Sequence, residues 1–540
     1  MVPPRQFQIE CLKSQIFDLL VIGGGITGVG IALDAASRGL SVALVEKGDF
    51  ASGTSSKSTK LIHGGLRYLK QFELKMVHDV GRERAIVHRL APHLVQPEKM
   101  LLPIYQGGSF GRFSTGFGLW LYDFLAGVKK ADRRKMLNCL QSLSAEPLLR
   151  ESGLLGSGQY AEYRTDDARL TIEVAKTAVR HGAICLNYVE VTGFLEENGQ
   201  LVGANCQDLF SDTNILVNAR CIVNAAGPWV DRLRQAANAM NRKRIFLSKG
   251  IHIVVARERL PLRHAVYFDV KDGRMVFAVP RQRATYIGTT DTPFDGSPDE
   301  VFAEQSEIAY LLDAANEQFP TVKLTFGDVE STWAGLRPLI FEEGKSAGAM
   351  SRRDEIFVAG NGLITVAGGK LTGYRKMAEK LVDLVFKKLG RAAVKASTTS
   401  IALTPSPFAD TSEVVGFQQS MEKRLSGLEN AYELAVYLIE NYGAAAAEIV
   451  TQAFAGGKIS DEAVLLSELS HGLQQEMVVT PIDFLERRTG QLLFHIRRAR
   501  QHQQKLLAAF QAHFGWSDEK LALETAALES LMRKLNPVCG

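Results

Sequence analysis

The chain has no Cys-x-x-Cys pair: its six cysteines, Cys11, Cys139, Cys185, Cys206, Cys221 and Cys539, are scattered. That spacing excludes a conventional zinc site and a disulfide framework, and it suits a reducing, intracellular compartment. No metal is expected. No stretch reaches the length of charge-free apolar sequence that a transmembrane helix requires, so any membrane contact is expected at the surface. Residues 1–15 carry Glu10 and lack the apolar core of a signal peptide, so they read as a short extension before the first strand, with no secretion implied. A strong charge of one sign is missing as well. The net charge is +4 over 540 residues, and no run of lysine and arginine interleaves with aromatics, which argues against nucleic acid as a partner. Low-complexity tracts and internal repeats are absent, and 46% hydrophobic with 23% charged residues is ordinary globular composition. A chain of this length exceeds one core, implies two or three domains and can bury a large ligand.

What is present begins at residues 17–48, a complete strand–turn–helix–strand unit. An apolar strand (19–22) feeds Gly23, Gly25 and Gly28, whose spacing allows a tight turn, backbone approach to a pyrophosphate and close helix–strand packing. The phosphates would sit on the N-terminus of the following helix, where unpaired N–H groups and the helix dipole favour an anion. Residues 32–38 carry the helix, Gly39 stops it, and 41–45 form a second strand ending at Glu46. An acidic side chain there accepts both ribose hydroxyls and repels a 2′-phosphate.

The loop 50–69 is rich in serine, threonine, lysine and glycine, and its polarity suggests function. Helices are expected over 72–90 and 166–182, and strands over 184–191 and 201–206. Residues 221–231 read as a buried strand running into the small-residue turn Asn224-Ala-Ala-Gly227. Between about 240 and 340 short alternating strands (250–255, 274–279, 285–288) predict an antiparallel, substrate-facing layer. Residues 356–359 form another strand, and Gly368-Gly-Lys-Leu-Thr-Gly-Tyr-Arg375 turns into a helix. Beyond about 405 the pattern becomes helical, with runs at 413–424 and 429–441, and Thr480-Pro-Ile-Asp483 opens a helix with an N-cap, an early proline and an acidic first turn.

Five segments, Gly64-Gly65-Leu66-Arg67-Tyr68, Lys249-Gly-Ile-His252, Gly288-Thr-Thr-Asp291, Gly335-Leu-Arg-Pro338 and Gly368–Arg375, jointly resemble the FAD-dependent glycerol-3-phosphate dehydrogenase family of the aerobic, quinone-linked type. The 54–69 loop and Thr480-Pro-Ile-Asp-Phe-Leu-Glu-Arg-Arg-Thr489 also look like that family, and the likeness covers about residues 16–500 in order. The resemblance implies an α/β fold with a doubly wound FAD-binding domain of the glutathione-reductase/D-amino-acid-oxidase-like kind (16–100, 151–235 and 350–395). A mixed β-sheet substrate domain (101–150 and 236–349) and an α-helical C-terminal domain (405–540) would complete it. It implies oxidation of sn-glycerol 3-phosphate to dihydroxyacetone phosphate, with electrons passed to membrane quinone by a homodimer lying on the inner face of the cell membrane.

A phosphate dianion needs permanent cations, and arginine holds its oxygens in a bidentate fork. The expected substrate residues are Arg67, Tyr68, Thr289, Arg337 and Arg352, with Arg353 competing for the last place. Removal of the hydroxyl proton as hydride leaves calls for a positioned base. His252 is the candidate, and an alkoxide held by Arg337 is the competing account. Negative charge near N1 and O2 of a reduced flavin favours a cation there, which Lys370 would supply. Further expected FAD contacts are Ser58, Lys60, His63, Gly64, Gly65, Val189, Ala226, Gly227, Gly369, Leu371 and Thr372, besides Gly23, Gly25, Gly28 and Glu46. Residues 113–128, apolar and aromatic, lead into Lys129, Lys130, Arg133, Arg134 and Lys135, a combination suited to an anionic lipid surface, although Asp123 interrupts it and core burial is an equal reading. An oxidase using oxygen is the alternative activity; amine or amino-acid oxidation and a non-catalytic flavoprotein are more remote.

Overall fold

Eighteen strands are arranged in two sheets in the computed structural model, which describes residues 2–62, 74–108, 133–241, 243–341, 355–404, 407–455 and 459–536 and a few positions between these. The first sheet has Ile16–Ile22 near its centre, paired in parallel with Thr213–Asn224 on one side and Val42–Glu46 on the other. Ile184–Asn187 and Ile364–Ala367 extend it in parallel, and Glu355–Val358 closes one edge antiparallel. Such strands are covered on both faces and read as continuous apolar runs, as Leu19, Leu20 and Val21 do, all fully buried. Helices Ile26–Ser37, Asp167–Arg180 and Tyr374–Lys388 pack on one face through Val29, Leu170, Leu381 and their neighbours.

The other face corrects one expectation. Residues 1–15 are not merely an extension: Arg5–Ser14 is a helix whose Ile9 and Leu12 join Phe17, Leu20 and Val217 in a core cluster. Arg5 ties it down, donating to Asp208 (2.6 Å) and to the carbonyl of Asn187 (2.8 Å). The strand expected over 184–191 is in fact two, Ile184–Asn187 and Val189–Glu197, broken at Tyr188, which has φ +56°.

The second sheet has ten strands and is mixed. Ile245–Ala256 runs antiparallel to both Val329–Ile340 and Ala284–Gly288, while Ala265–Asp269 lies parallel to Gln96–Tyr105. Leu154–Arg164, expected with the nucleotide-binding segments, instead pairs with Gln96–Tyr105 in this sheet. Pro97 and Pro103 in one partner and Gly156 and Gly158 in the other mask the strand signal. The C-terminal helices include Thr411–Arg424, Ala431–Tyr442, Asp461–Gln475 and Ile496–Phe514. Phe494, from the short helix Gln491–Phe494, packs edge-on against Trp333 and Tyr286, so this helical region shares a core with the second sheet.

Candidate active site

A cavity of 630 Å³ lies where the two sheets face one another, within the usual range for a small-molecule site. It is lined by the glycine turn, residues 46–48, the 52–59 loop, residues 189–191, the turn 225–229, residues 335–339 and the turn 366–372. Gly23 sits at φ +114° with its N–H on Val45 O, and a Cβ there would lie 2.6 Å from Ala225 O. At Gly28 a Cβ would lie 1.8 Å from Gly23 O, so only glycine lets helix Ile26–Ser37 start this close to the strand. Gly23 and Gly25 line the cavity; Gly28 supports it from behind.

Glu46, at the strand end, lines the same end of the cavity as Val189. Its carboxylate accepts the N–H groups of Gly24 (2.6 Å) and Gly48 (2.8 Å). Burial raises its pKa, and those two N–H bonds oppose the rise. The loop that follows is docked on both sides. Ser55 Oγ accepts the Ile26 N–H (2.9 Å) at the helix start, and Thr54 Oγ1 donates to Leu336 O (2.6 Å) on the second sheet.

Arg337 also lines the cavity. Its guanidinium donates to Thr289 Oγ1 (3.1 Å), Thr290 O (3.2 Å) and Asp291 Oδ1 (3.2 Å). It fills space left by Gly250, where a Cβ would meet its nitrogen at 2.6 Å. His252 follows two residues along the same strand, hence on the same face. Its ring stacks on Trp333 at 4.5 Å, and its Nε2 lies 3.1 Å from Thr59 Oγ1. Nδ1 has no partner among the described residues. Burial, with the charges of Arg337 and Lys60 adding to it, holds the imidazole pKa well below its ordinary value, so the ring is neutral at pH 7. Among the described residues, His252 reaches the cavity through Thr59, which lines it.

Lys370, Gly369, Leu371, Thr372, Ala226, Gly227, Val189 and Ser58 line the cavity. Thr289 reaches it through Arg337. The helix expected directly after Gly369 begins instead with a short 3₁₀ turn, Leu371–Gly373, capped by Lys370, with the α-helix running from Tyr374. Lys60 is a correction: it points away from the cavity. Its buried ammonium donates to Asp167 Oδ1 (2.5 Å) and Ser56 O (3.0 Å) and faces the Trp333 ring, so it fixes the loop from behind. His63, Gly64, Gly65, Arg67, Tyr68 and Arg352 lie outside the described residues. Of the segment 113–128, Leu119 is buried in the second sheet's core while Trp120 is half exposed.

Sequence reasoning missed several lining groups. Trp229 and Arg232 both bind Asp299, at 2.8 and 2.6 Å, beside the cavity. Trp229 stood in the recognised small-residue turn, but Asp299 is 70 residues away in sequence and carries no local signal. Thr54, Ser55, Lys57 and Thr59 lay in the polar loop, where only the docking contacts distinguish them.

The cavity suits FAD. A Cβ-free glycine turn at a helix N-terminus, the acid Glu46 at the end of the second strand and the cations Arg337 and Lys370 all line one cavity. Comparison with known proteins agrees. The FAD dependent oxidoreductase family matches residues 18–375, and the C-terminal domain of alpha-glycerophosphate oxidase matches 409–521. The chain is 46% identical to the aerobic glycerol-3-phosphate dehydrogenase of Bacillus subtilis (strain 168), covering 98% of this chain and 97% of that one. It is 45% identical to the enzyme of the same name from Staphylococcus aureus (strain MRSA252), covering 97% and 95%. Among solved structures, the glycerol-3-phosphate dehydrogenase from Bacillus halodurans complexed with FAD superposes with a TM-score of 0.84 at 42% identity, covering 98% and 97%. A glycine oxidase from Geobacillus kaustophilus (TM-score 0.54, 20% identity, 73% of this chain and 100% of that one) shares the fold alone.

Proposed function

The chain belongs to the aerobic glycerol-3-phosphate dehydrogenases, FAD-dependent oxidoreductases of glycerol 3-phosphate, and from that premise we propose how its residues serve the reaction and where the electrons go. Bound FAD supplies the hydride acceptor at N5, and the product is dihydroxyacetone phosphate. The observation that carries the reading is the placing of Arg337 and Lys370 in one cavity with the glycine turn.

Arg337, oriented by Thr289 and Asp291, binds the substrate through its planar fork. Arg67, Tyr68 and Arg352 complete the hold on the phosphate dianion. As the C2 hydride leaves, the hydroxyl oxygen becomes strongly acidic, so even a weak neutral base suffices to take its proton. His252 takes it by way of the Thr59 hydroxyl, while Arg337 holds the substrate in place. Lys370, which lines the cavity, would offset negative charge on a flavin bound there. Glu46 and Val189 would hold the adenosine end. Ser58, Ala226, Gly227, Gly369, Leu371 and Thr372 would contact the remainder, and His63, Gly64 and Gly65 are assigned to the cofactor as well.

Electrons leave to membrane quinone. No helix among the described residues is long and apolar enough to cross a membrane, and we assign the contact to peripheral association of a homodimer with the anionic inner face of the cell membrane. The basic residues 129–135 support that reading. Replacing Lys129, Lys130, Arg133 and Arg134 by glutamine is expected to release the protein from anionic vesicles. The substrate is tested by anaerobic titration with glycerol 3-phosphate, following the flavin's visible absorbance. Bleaching is expected, and fully bound FAD that does not bleach would reject the activity. Quinone reduction with little peroxide is the expected outcome of turnover, whereas stoichiometric peroxide would instead make the enzyme an oxidase.

A further inference from the structure

The run Thr480–Thr489 has no place in the mechanism above, yet it makes a dense set of buried polar contacts. Thr480 caps the turn by accepting the Asp483 N–H at 3.2 Å, and Asp483–Arg488 then forms a single π-helical turn. Its wider winding brings two consecutive arginines to one carboxylate, which α-helical spacing keeps apart. That carboxylate is Asp49. It accepts from Arg487 Nε (2.6 Å) and from Arg488 Nη1 (2.5 Å) and Nη2 (2.9 Å), with Asn187 Nδ2 at 3.0 Å. From the same turn Asp483 accepts the Tyr188 hydroxyl (2.5 Å) and Arg487 Nη2 (2.9 Å). Asp49, Asp483 and Arg488 are at most 1% exposed.

The two strand ends so held are the ones that form the adenosine end of the cavity. Asp49 stands three residues after Glu46, and Tyr188 directly precedes Val189; Glu46 and Val189 both line the cavity. The ends are also joined to each other, because the Tyr188 N–H donates to Gly48 O (2.9 Å). Tyr188 adopts φ +56° to do so, a conformation unfavourable for a bulky residue and maintained only where its surroundings fix it. The side chains that fix it come from a segment more than 290 residues away. Against the burial that pushes it up, Arg488 and Arg487 hold the Asp49 pKa down to about 2, so Asp49 is charged throughout the neutral range.

We propose that Asp483, Arg487 and Arg488 are positioning residues for the cofactor: the C-terminal helical region clasps the two strand ends that receive the adenosine half of FAD, so cofactor affinity is set partly by that region. Coupling of this kind is reciprocal, so FAD binding must tighten the docking of the turn. The inference rests on FAD filling the cavity, and FAD binding to the unaltered protein, measured first, tests that premise separately.

The experiment measures FAD dissociation from purified holoprotein by the fluorescence of released flavin, at a temperature where circular dichroism shows every variant folded. Asp49→Asn and Arg487→Gln are expected to raise the FAD dissociation constant at least tenfold while kcat at saturating FAD stays within twofold. Tyr188→Phe, which removes a single hydroxyl and is the variant safest to fold, is expected to raise it about threefold or more. Arg498→Gln is the control. It breaks the ion pair with Asp461 (2.9 Å) in the same helical region without touching either strand end, so it is expected to lower stability and leave FAD affinity unchanged. Hydrogen exchange over 483–489 is expected to slow when FAD is added to apoprotein. Wild-type FAD affinity in both Asp49→Asn and Tyr188→Phe would overturn the proposal, as would an equal loss in Arg498→Gln.

Discussion

At the scale of single residues, the site is built from side chains that are occupied before any ligand arrives. Arg337 is bonded to Thr289, Thr290 and Asp291, which fixes the plane of the guanidinium and spares the ordering entropy of a long side chain on binding. Removing it in Arg337→Ala is expected to raise the substrate KM more than tenfold with FAD still bound, because a lost charge-assisted contact costs about 1.5–3 kcal/mol. Steady-state kinetics with a flavin absorbance check decide this, and wild-type KM would remove Arg337 from the site. Thr59 makes a sharper case. Since His252 meets the cavity across the Thr59 hydroxyl, Thr59→Val is expected to lower kcat by about 10²-fold, the scale of a lost proton-transfer group, while Thr59→Ser keeps most of the activity. An undiminished kcat in Thr59→Val would show that the proton leaves by another route and would favour the arginine-held alkoxide.

At the scale of elements, what was legible in the sequence is what local backbone geometry dictates. The glycine turn could be read because Gly23 and Gly28 are required by contacts formed within a few residues of each other or with the adjoining strand. Gly28→Ala is accordingly expected to push helix Ile26–Ser37 off its strand, at a cost of about 1–3 kcal/mol in strain, and to yield protein that purifies without FAD absorbance. Retention of a full FAD complement would mean that the helix start can shift without harm. Side-chain direction was much less legible. Lys60 sits in the same polar loop as Ser58 and Thr59, yet it faces Asp167 and the Trp333 ring, while its neighbours line the cavity. Its φ of +56° turns it over, and nothing in the residue types around it announces that reversal. The strand Leu154–Arg164 was hidden for a related reason: its glycines and its partner's prolines lower the strand signal, and only pairing between the two restores it.

At the scale of the whole molecule, the contacts that hold the segments together join residues hundreds of positions apart, such as Asp49 with Arg487 and Arg169 with Glu476, and no periodicity or motif records them. His93 is another such contact. It follows helix Leu74–Leu90 on the first sheet's side and packs its ring against Phe408 (5.9 Å between centroids) and Gly443 of the helical region. Neither ring nitrogen has a partner among the described residues. Burial pushes its pKa down to about 4, whereas in the unfolded chain it titrates near 6.5. The sign follows from proton counting. Below pH 6.5 the unfolded chain takes up a proton that the native state refuses, so the stability this group contributes is present above 6.5 and is lost as pH falls toward 4. The slope from one such group approaches 1.4 kcal/mol per pH unit within that window. Buried carboxyls such as Asp34, raised to about 6, act in the opposite direction on acidification, so the wild-type pH profile alone does not isolate the histidine. The difference between two proteins does. His93→Gln, with a side chain of similar size and no proton to gain, is expected to lose less melting temperature than wild type between pH 6.5 and 4.5 when both are scanned under identical conditions. Parallel profiles would show that His93 becomes protonated in place, with the interface between the first sheet and the helical region opening to admit water well before the chain unfolds.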